Sequence, residues 1–505
     1  MCGISGMWGD VQEDTVREMM GLLAHRGPDA EGLFVSPGGH GVLGHRRLSI
    51  MDPEGGNQPI HNEDRTMAIV ANGEIYNFPA LRPALAGRHR LRTTSDSEAI
   101  LHLYEEHGTR VVEHLDGMYA FVIADGPHLV AARDPIGIKP LYLGRNGKGL
   151  CFASELRALA SFCEEVEEFP PGTVFHSGEG FRRFYTVPDI PAEDRALGEH
   201  VQELRETLER AVVKRLMSDV PVGAFLSGGL DSSIICALAR KHLDELHTFS
   251  VGIEGSRDLE AARTVSRHLG TIHHEYILTA HELRESLPGI IYSLESFDQD
   301  LVRSGFPCYF TSRLAAEHVK VILTGEGADE LFAGYTYYKG IEADGLLHGE
   351  LRRSVSALHN VNLQRVDRMT MAQSIEGRVP FLDLAMIELG MRIPARHKLR
   401  GEPPVEKWIL RKAFEDLLPR EIIWRKKEQF DEGSGAVDLL EESLAGTMSE
   451  AQAEAYRQKW PETFLRSPEE CFYHRLFMEA FPNPGPVLRN VGRWAERPPE
   501  ISCSL

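Results

Sequence analysis

The sequence has few cysteines and no long apolar run. Seven cysteines are scattered over 505 residues, and no two of them form a Cys-x-x-Cys pair. A sparse and odd set of this kind favours neither a disulfide framework nor a zinc site. No apolar run approaches the roughly 18 residues that a membrane span needs. The basic segment followed by an apolar segment that is typical of a leader is also missing from the sequence. We therefore expect a protein of a reducing cytoplasm with no membrane contact.

Positive charge is also scarce. The chain has 55 Lys and Arg residues against 75 Asp and Glu residues, which gives a net charge of −20. Nucleic acid and anionic membranes do not attract such a protein as a whole, although this does not exclude a local basic pocket. Apolar content of 42% and charged content of 26% are normal for a globular protein. A chain of this length is expected to form two or three domains.

The chain divides near residues 186–200, where prolines and charged residues follow one another as they do in linkers. Before this stretch, helical patterns occupy about 12–24 and 97–107. Short apolar runs bounded by Gly, Asn and Asp are typical of strands and lie at 67–70, 120–124 and 128–132. This half, residues 1–187, is therefore predicted to be α+β with a largely antiparallel sheet.

In the second half, residues 200–480, apolar strands alternate with longer helical patterns. The strands are predicted at 222–226, 248–251 and 319–323. Such alternation indicates a parallel sheet with helices on both faces. The part from about 360 onward is predicted to be mainly helical, and residues 481–505 to form an irregular tail.

Cys2 is the most informative residue of the first half. Removal of Met1 would place its thiol on the same residue as a free α-amino group. That amine titrates near about pH 8 and can serve as the base that a thiol nucleophile needs. A stray structural cysteine is the alternative when the residue is considered alone.

Three further positions make chemical sense with Cys2, although each also has a structural interpretation. Arg47 could clamp a carboxylate, or form a surface salt bridge. Asn72 and Gly73 could hold the oxyanion of a tetrahedral intermediate, or form an Asn-Gly hairpin turn. Asp96 could accept a hydrogen bond from a substrate ammonium; alternatively, Ser95 or Asp96 is simply the N-cap of a helix.

Together these segments resemble the class II glutamine amidotransferases, whose nucleophile is N-terminal. The resemblance rests on stretches that occur in the same order, namely 1–4, 25–29, 47–50, 72–77 and Asp96. It implies a four-layer αββα sandwich in which Cys2 attacks the glutamine amide and Asn72 and Gly73 form the oxyanion hole. It further implies that glutamine is bound by Arg47, Leu48, Ser49, Ile50, Met51, Asn72, Gly73, Glu74 and Asp96.

The sharpest motif of the second half is Ser-Gly-Gly-Leu-Asp-Ser-Ser at 227–233, directly after an apolar strand and before a helix. Small residues let the backbone approach phosphate oxygens, and a helix N-terminus favours the anion. The Gly-Lys-Ser/Thr ending of a Walker A loop is missing. The segment resembles the pyrophosphate loop of ATP pyrophosphatases; a purely structural Gly-rich turn is the alternative.

An acidic turn and a basic run complete the candidates. Glu326, Asp329 and Glu330 lie within five residues and repel one another unless a cation or a donor balances them. Asp231 and Asp329 are the natural pair for Mg²⁺ bound to ATP phosphates, while Glu326 could face the substrate. The basic run 424–430 could place a fixed ammonium near the negative charge that adenylation builds up. A solvated loop and a solvated helix face are the respective alternatives.

From about residue 200 to 480 the chain resembles the synthetase domain of bacterial glutamine-dependent asparagine synthetases. The matching stretches are 227–233, 324–335, 372–383 and 424–430. The resemblance implies that Glu326 assists formation or capture of an acyl adenylate, and that Arg303 and Lys427 stabilise the phosphates and the intermediate. The ATP site would be formed by Leu226, Ser227, Gly228, Gly229, Asp231, Ser232, Val251, Thr324 and Gly325.

One departure from that family concerns the acceptor. Near Arg303 the family has a pair of threonines, whereas this chain has Asp300 and Leu301. An added carboxylate near a dicarboxylate substrate lowers affinity unless it meets an ammonium, which aspartate carries. Asp300 could equally select another amino-bearing carboxylate.

We expect a cytoplasmic enzyme, by resemblance a homodimer, that hydrolyses glutamine at Cys2 and passes ammonia through an internal channel to the second domain. There Mg-ATP adenylates aspartate, and ammonia displaces AMP. A glutamine-dependent synthetase of a specialised pathway, acting on a different amino-bearing carboxylate, is the main alternative. The presence of Cys2 argues against a β-lactam-forming relative. The acidic net charge argues against a tRNA-modifying pyrophosphatase, and the presence of Asp231 and Asp329 argues against an inactive regulator.

Overall fold

The computed structural model describes residues 2–147, 149–427 and 433–493. Part of the predicted basic run, 428–430, and the end of the predicted irregular tail, 494–505, lie outside these residues. The described part of the tail contains a short helix, because Pro484 and Pro486 supply backbone torsions suited to a first helical turn. None of the helices in the described ranges is both long and apolar enough to cross a membrane.

The first half is built on two six-stranded antiparallel sheets, in the orders β10-β8-β9-β1-β3-β2 and β12-β11-β7-β6-β5-β4. Their strands are β1 (Cys2–Trp8), β2 (Ala30–Val35), β3 (Gly41–Arg47), β4 (Ile60–His61), β5 (Met67–Ile75), β6 (Gly117–Asp125), β7 (His128–Arg133), β8 (Tyr142–Asn146), β9 (Gly149–Ala153), β10 (Glu165–Glu168), β11 (Thr173–His176) and β12 (Gly180–Arg183). The helices of this half are α1 (Glu13–Leu22), α2 (Phe78–Ala86), α3 (Asp96–His107) and α4 (Arg157–Ala160).

These elements form the predicted αββα layers. Helix α1 packs on β1 and β3, and α3 packs on β5. The two sheets meet through an apolar cluster that includes Ile4, Leu43, Val70, Val122 and Phe152. Strand β6 is buried from its second residue to its eighth, because a sheet covers one face and helices cover the other. This double burial explains why its sequence is a continuous apolar run and does not alternate.

The second half contains a five-stranded parallel sheet in the order β15-β14-β13-β16-β17. Its strands are β13 (Val222–Phe225), β14 (His247–Gly252), β15 (Ile272–Ile277), β16 (Val321–Leu323) and β17 (Glu376–Arg378). The helices are α5 (Leu197–Lys214), α6 (Leu230–Arg240), α7 (Arg257–Leu269), α8 (Ala280–Leu294), α9 (Gln299–Ala316), α10 (Ala328–Phe332), α11 (Asp344–Ser356), α12 (Asn362–Met371), α13 (Leu384–Arg392), α14 (Ala395–Lys398), α15 (Trp408–Ala413), α16 (Arg420–Ile423), α17 (Ala436–Leu444), α18 (Glu450–Arg457), α19 (Pro468–Ala480) and α20 (Pro484–Leu488).

Helices cover both faces of this sheet as predicted, with α6 and α7 against β13 and β14, and α9 and α12 against β14 and β17. Strand β17 was not predicted, since it is three residues long and lies inside a segment predicted to be helical. It extends the sheet beyond β16 by parallel pairing, and it brings Glu376 and Arg378 to the first half.

Buried ion pairs join the two halves. The Arg26 guanidinium is fully buried and contacts Glu155 Oε1 at 2.7 Å and Asp367 Oδ2 at 2.8 Å. Arg368, also fully buried, pairs with Glu295 Oε2 of its own half at 2.8 Å and lies 3.4 Å from Glu155 Oε1 of the first half. A buried charge is tolerated only when it is paired and hydrogen-bonded, so these contacts fix how α12 lies against the first half.

We expect Asp367→Ala to lower the free energy of unfolding by about 3 kcal/mol, because it removes both carboxylate contacts of Asp367 with Arg26. Chemical denaturation followed by circular dichroism measures the change. The exposed i,i+4 pair Glu13–Arg17 offers a matched control, and Glu13→Ala should change stability by less than about 1 kcal/mol. Equal effects of the two variants would contradict a structural role for the buried pair.

Candidate functional site

Cys2 begins β1 and pairs with Arg47 on β3. Its side chain is buried, and its backbone nitrogen donates to Asn72 Oδ1 at 2.9 Å. Burial raises the pKa of the Cys2 thiol, while the Leu48 N–H and the Arg47 guanidinium act in the opposite direction. The thiol therefore lies among donors that would stabilise a thiolate.

Asn72 and Gly73 lie within β5 and do not form the hairpin turn that was the structural alternative. Because Asn72 Oδ1 accepts from Cys2, its Nδ2 faces away from that bond; Nδ2 is buried and has no hydrogen-bond partner among the described residues. On the side of β5 that faces away from β6, the backbone N–H groups of Ala71 and Ile75 donate to side chains. Because N–H groups of alternate residues in a strand point to the same side, the Gly73 N–H lies on that side too. An unused amide and a backbone donor therefore lie beside Cys2.

Arg47 is 4% exposed, so it is not the surface ion-pair residue of the structural alternative. Its guanidinium donates to the Met51 and Pro53 carbonyls at 3.1 Å and to Asn57 Oδ1 at 2.8 Å. It thereby holds the loop after β3 beside Cys2. In the same segment Leu48 and Ile50 are buried, and the Ser49 N–H donates to Asp29 Oδ2 at 2.7 Å.

Two buried carboxylates, Glu74 and Asp96, lie at the end of β5. Burial raises the pKa of Asp96 to about 6, against a hydrogen bond of 2.6 Å from the Ile75 N–H. Burial, Asp96 and Glu376 raise the pKa of Glu74 well above its ordinary value, and Arg378 opposes them. Ser95 caps α3, and Asp96 accepts a hydrogen bond from the Ile75 N–H of β5. The contact of Asp96 with a substrate ammonium stays a prediction.

The second half contributes to this site in a way the sequence did not predict. Arg378 on β17 lies 3.4 Å from Glu74 Oε1 and bonds Glu376 Oε1 at 2.5 Å. Glu376 also acts electrostatically on Cys2, Glu74 and Asp96. The stretch 372–383 was singled out only as a resemblance, and nothing in its spacing indicates that it meets Cys2.

A second site is a cavity of about 500 Å³ at the carboxyl ends of β13 and β16. Asp300 and Leu301 line it together with most of the predicted residues, namely Leu226, Ser227, Gly229, Asp231, Ser232, Thr324, Gly325, Glu326, Asp329 and Lys427. Gly228 lies between two lining residues and Val251 lies two residues after the lining residue Phe249, but neither lines the cavity itself. Ligands of open α/β sheets bind at this edge.

The predicted phosphate loop runs from β13 into α6. The Ser227 N–H donates to Ser232 Oγ at 3.2 Å, which closes the loop on itself. Gly228 has a φ of +73°, and a Cβ there would lie 2.5 Å from Ala261 Cβ on α7. The loop is therefore pressed against α7, and only glycine fits at position 228.

Two ammonium groups meet the predicted metal pair. Lys407 Nζ lies 2.7 Å from Asp329 Oδ1 and also contacts Asp231 Oδ2, while Lys427 Nζ lies 2.5 Å from Asp329 Oδ1. Burial alone would raise the pKa of Asp329, but the ammonium groups of Lys407 and Lys427 lower this pKa below its ordinary value. Sequence analysis missed Lys407, because a lone lysine before a helix carries no motif.

Arg303 is not among the residues that line this cavity, and its role in stabilising phosphates stays a prediction. Its guanidinium bonds Glu469 Oε1 at 2.9 Å and Glu441 Oε1 at 2.7 Å. Asp300, Leu301 and Ser304 of the same helix do line the cavity. Inside the cavity Glu326 pairs with Arg365, which was not predicted.

The chain matches known families along nearly its whole length. A glutamine amidotransferase domain model covers residues 1–209, and an asparagine synthase model covers 203–346 and 340–486. Asparagine synthetase B, glutamine-hydrolysing, of Escherichia coli is 39% identical over 100% of this chain and 95% of its own length. A glutamine-hydrolysing asparagine synthetase 3 of Arabidopsis thaliana is 40% identical over 100% of this chain and 91% of its own.

We expect Gly73→Ala to lower the free energy of unfolding by about 2 kcal/mol or more, because a Cβ at this residue would lie 2.0 Å from the Met118 carbonyl oxygen at a φ of +154°. Denaturant unfolding measures the loss. Gly21, which has nothing within 4 Å of an added Cβ, provides the control. If Gly73→Ala is as stable as Gly21→Ala, the close approach of β5 and β6 at this position is wrong.

Proposed function

This chain belongs to the family of glutamine-hydrolysing asparagine synthetases, and from that premise we propose that it transfers the amide nitrogen of glutamine to aspartate with ATP. The products are asparagine, glutamate, AMP and pyrophosphate. We assign glutamine hydrolysis to residues 1–187 and synthesis to residues 200–480. The observation that carries the first assignment is Cys2 beside the buried and unpaired Asn72 Nδ2.

In the glutaminase reaction, the Cys2 α-amine exposed by loss of Met1 takes the thiol proton. The thiolate attacks the side-chain amide carbon of glutamine, and Asn72 Nδ2 and the Gly73 N–H stabilise the oxyanion. Ammonia leaves, and water hydrolyses the thioester to glutamate. Arg47, Glu74 and Asp96, with the 48–51 segment, hold the α-carboxylate and α-ammonium of glutamine.

In the synthetase reaction, the aspartate side-chain carboxylate attacks the α-phosphorus of ATP, and pyrophosphate leaves. Ammonia, passed internally, then attacks the acyl carbon, and AMP leaves. The 227–232 loop with Thr324 and Gly325 binds the nucleotide. Glu326 assists formation or capture of the adenylate, and Lys407 and Lys427 supply the fixed positive charge that was assigned in part to Arg303.

Asp231 and Asp329 are suited to hold Mg²⁺. Asp231 Oδ1 is buried without a hydrogen-bond partner among the described residues. The Asp231 and Asp329 carboxylates both contact the Lys407 ammonium, so they lie close to each other. Two nearby carboxylates are the donors that Mg²⁺ bound to nucleotide phosphates prefers. The ion would neutralise charge on pyrophosphate as it departs.

The acceptor is proposed to be aspartate despite Asp300. Arg466 Nη1 contacts Asp300 Oδ2 at 2.8 Å, so the added carboxylate is already paired and does not repel a dicarboxylate as a free one would. A different amino-bearing carboxylate is the second candidate, favoured by the position of Asp300 and Leu301 on the cavity wall. A cytoplasmic location and a homodimer belong to the same proposal.

Two variants separate the half-reactions. Cys2→Ala should abolish glutamine-driven asparagine formation and leave the ammonia-driven reaction intact, since only the nucleophile is lost. Asp231→Asn should stop pyrophosphate release with either nitrogen source. Pyrophosphate and asparagine are assayed for both variants. Loss of the ammonia-driven reaction in a folded Cys2→Ala protein, or pyrophosphate release by Asp231→Asn, would contradict the assignment.

The pH dependence of glutamine binding should follow Asp96, whose pKa is about 6. Above this value the carboxylate is charged and balances the glutamine ammonium; below it the group is neutral. The KM for glutamine should therefore rise by up to about tenfold for each pH unit below 6. In Asp96→Asn the KM should be high and should lose this dependence. A wild-type KM that stays constant from pH 7 to about 5 would exclude Asp96 as the ammonium partner.

A further inference from the structure

Four metal-ligating side chains of the glutaminase half converge away from the residues assigned to glutamine. Glu63 lies in the turn between β4 and β5, and His89 lies in the loop between α2 and α3. His102 and Glu105 lie one turn apart on α3. One ligand atom from each residue lies within 4.8 Å of all the others.

The distances within this cluster suit one small cation. Glu105 Oε2 lies 2.8 Å from His102 Nδ1 and 3.6 Å from His89 Nδ1. Glu63 Oε1 lies 3.3 Å from His89 Nδ1, and Glu63 Oε2 lies 3.8 Å from His102 Nδ1. Ligands about 2.0–2.1 Å from a tetrahedral zinc ion are separated by about 3.3 Å, close to the mean of these values. Only small side-chain adjustments are needed to enclose the ion.

The ligand orientation is already set by an outer layer of contacts. Each histidine turns Nδ1 inward and Nε2 to a carboxylate, with His89 Nε2 at 3.1 Å from Glu106 Oε1 and His102 Nε2 at 3.5 Å from Glu98 Oε1. Asn62 Nδ2 donates to Glu105 Oε1 at 2.9 Å, which leaves Oε2 for the cluster. Carboxylates behind histidine ligands and held carboxylate ligands are typical of metal sites.

Charge and burial also favour a cation. Glu63 and Glu105 face each other through the two imidazoles, and Glu98 and Glu106 add negative charge behind them. Arg88 contacts Glu106 at 2.5 Å and balances one of these four carboxylates. The side chains of His102, His89 and Glu105 are 1%, 15% and 20% exposed, so this side of the cluster is largely shielded from water, while Glu63 borders the solvent. A divalent ion would offset charge that solvent screens poorly there.

We propose that Glu63, His89, His102 and Glu105 form a structural zinc site. Four protein ligands close the coordination shell, as in structural rather than catalytic zinc sites. The ion would tie the loop that carries His89, and the turn that carries Glu63, to α3. Because α3 begins at Asp96, the site would stiffen the element that presents this residue to glutamine.

A rival cluster, His247, His274 and His318, lacks the features of this site. Its rings stack face to face, with centroids of His274 and His318 3.9 Å apart, and His247 Nδ1 faces His274 Nε2 at 3.0 Å. The His89 and His102 rings are also stacked, with centroids 4.5 Å apart, so the difference lies in the donors: the rival cluster offers three imidazoles and no carboxylate. His318 is exposed and therefore provides a matched histidine control.

Cobalt substitution of the full-length protein tests the proposal. Protein stripped with a chelator is titrated with Co²⁺ alone, and tetrahedral Co²⁺ is recognised by its intense visible absorption. We expect one tetrahedral Co²⁺ per wild-type chain, displaced by Zn²⁺, and a rise of about 5 °C in the unfolding midpoint with saturating Zn²⁺. Wild-type protein without a tetrahedral Co²⁺ spectrum would overturn the proposal.

Variants identify the ligands. His89→Gln and Glu63→Gln should each weaken Co²⁺ binding at least about 10-fold and abolish the Zn²⁺ stabilisation, whereas His318→Gln should behave as wild type. The circular dichroism and unfolding midpoint of each metal-free variant are compared with metal-free wild type. Glu63 is exposed, so its variant decides the question if His89→Gln misfolds. Unchanged Co²⁺ affinity in Glu63→Gln, or loss in His318→Gln, would refute this ligand set.

Discussion

The structure depends on buried charges that must find partners across the boundary between its two halves. Arg26 from the glutaminase half and Arg368 from the synthetase half are both fully buried, and the carboxylates that balance them are Glu155, Glu295 and Asp367. Separating the halves would break the Arg26–Asp367 and Arg368–Glu155 pairs and leave each guanidinium with only the carboxylate of its own half. The halves are therefore held in one arrangement, and the two reaction sites keep a fixed relation.

Strand β17 shows what this arrangement achieves. The carbonyl of Arg378 accepts a hydrogen bond of 2.9 Å from the Thr324 N–H, at the start of the segment that lines the nucleotide cavity. The guanidinium of the same residue lies beside Glu74 in the glutaminase site. One residue of the synthetase sheet thus contacts elements of both sites. A displacement of side chains in either site would shift β17, because closely packed interiors transmit small displacements.

Much of the fold follows from local sequence patterns. The run 120–124 and the strand–loop–helix at 222–240 form as predicted, because apolar periodicity and small-residue turns act over a few residues. The contacts of Arg303 with Glu441 and Glu469 could not be predicted, since a resemblance identifies a position and does not show which neighbours hold its side chain. Lys407, Arg365 and β17 escaped prediction because their importance arises only from partners far away in the chain. The same applies to the proposed zinc ligands between residues 63 and 105, whose spacing matches no local motif.

The most direct test of the account follows the nitrogen atom through the wild-type enzyme. Glutamine labelled with ¹⁵N in its side-chain amide is supplied with aspartate, ATP and Mg²⁺ in the presence of excess unlabelled ammonia. We expect ¹⁵N-labelled asparagine, with one AMP and one pyrophosphate formed for each molecule. Asparagine carrying the isotope ratio of the bulk ammonia would contradict internal transfer. Pyrophosphate release on another carboxylate, without asparagine, would contradict aspartate as the acceptor.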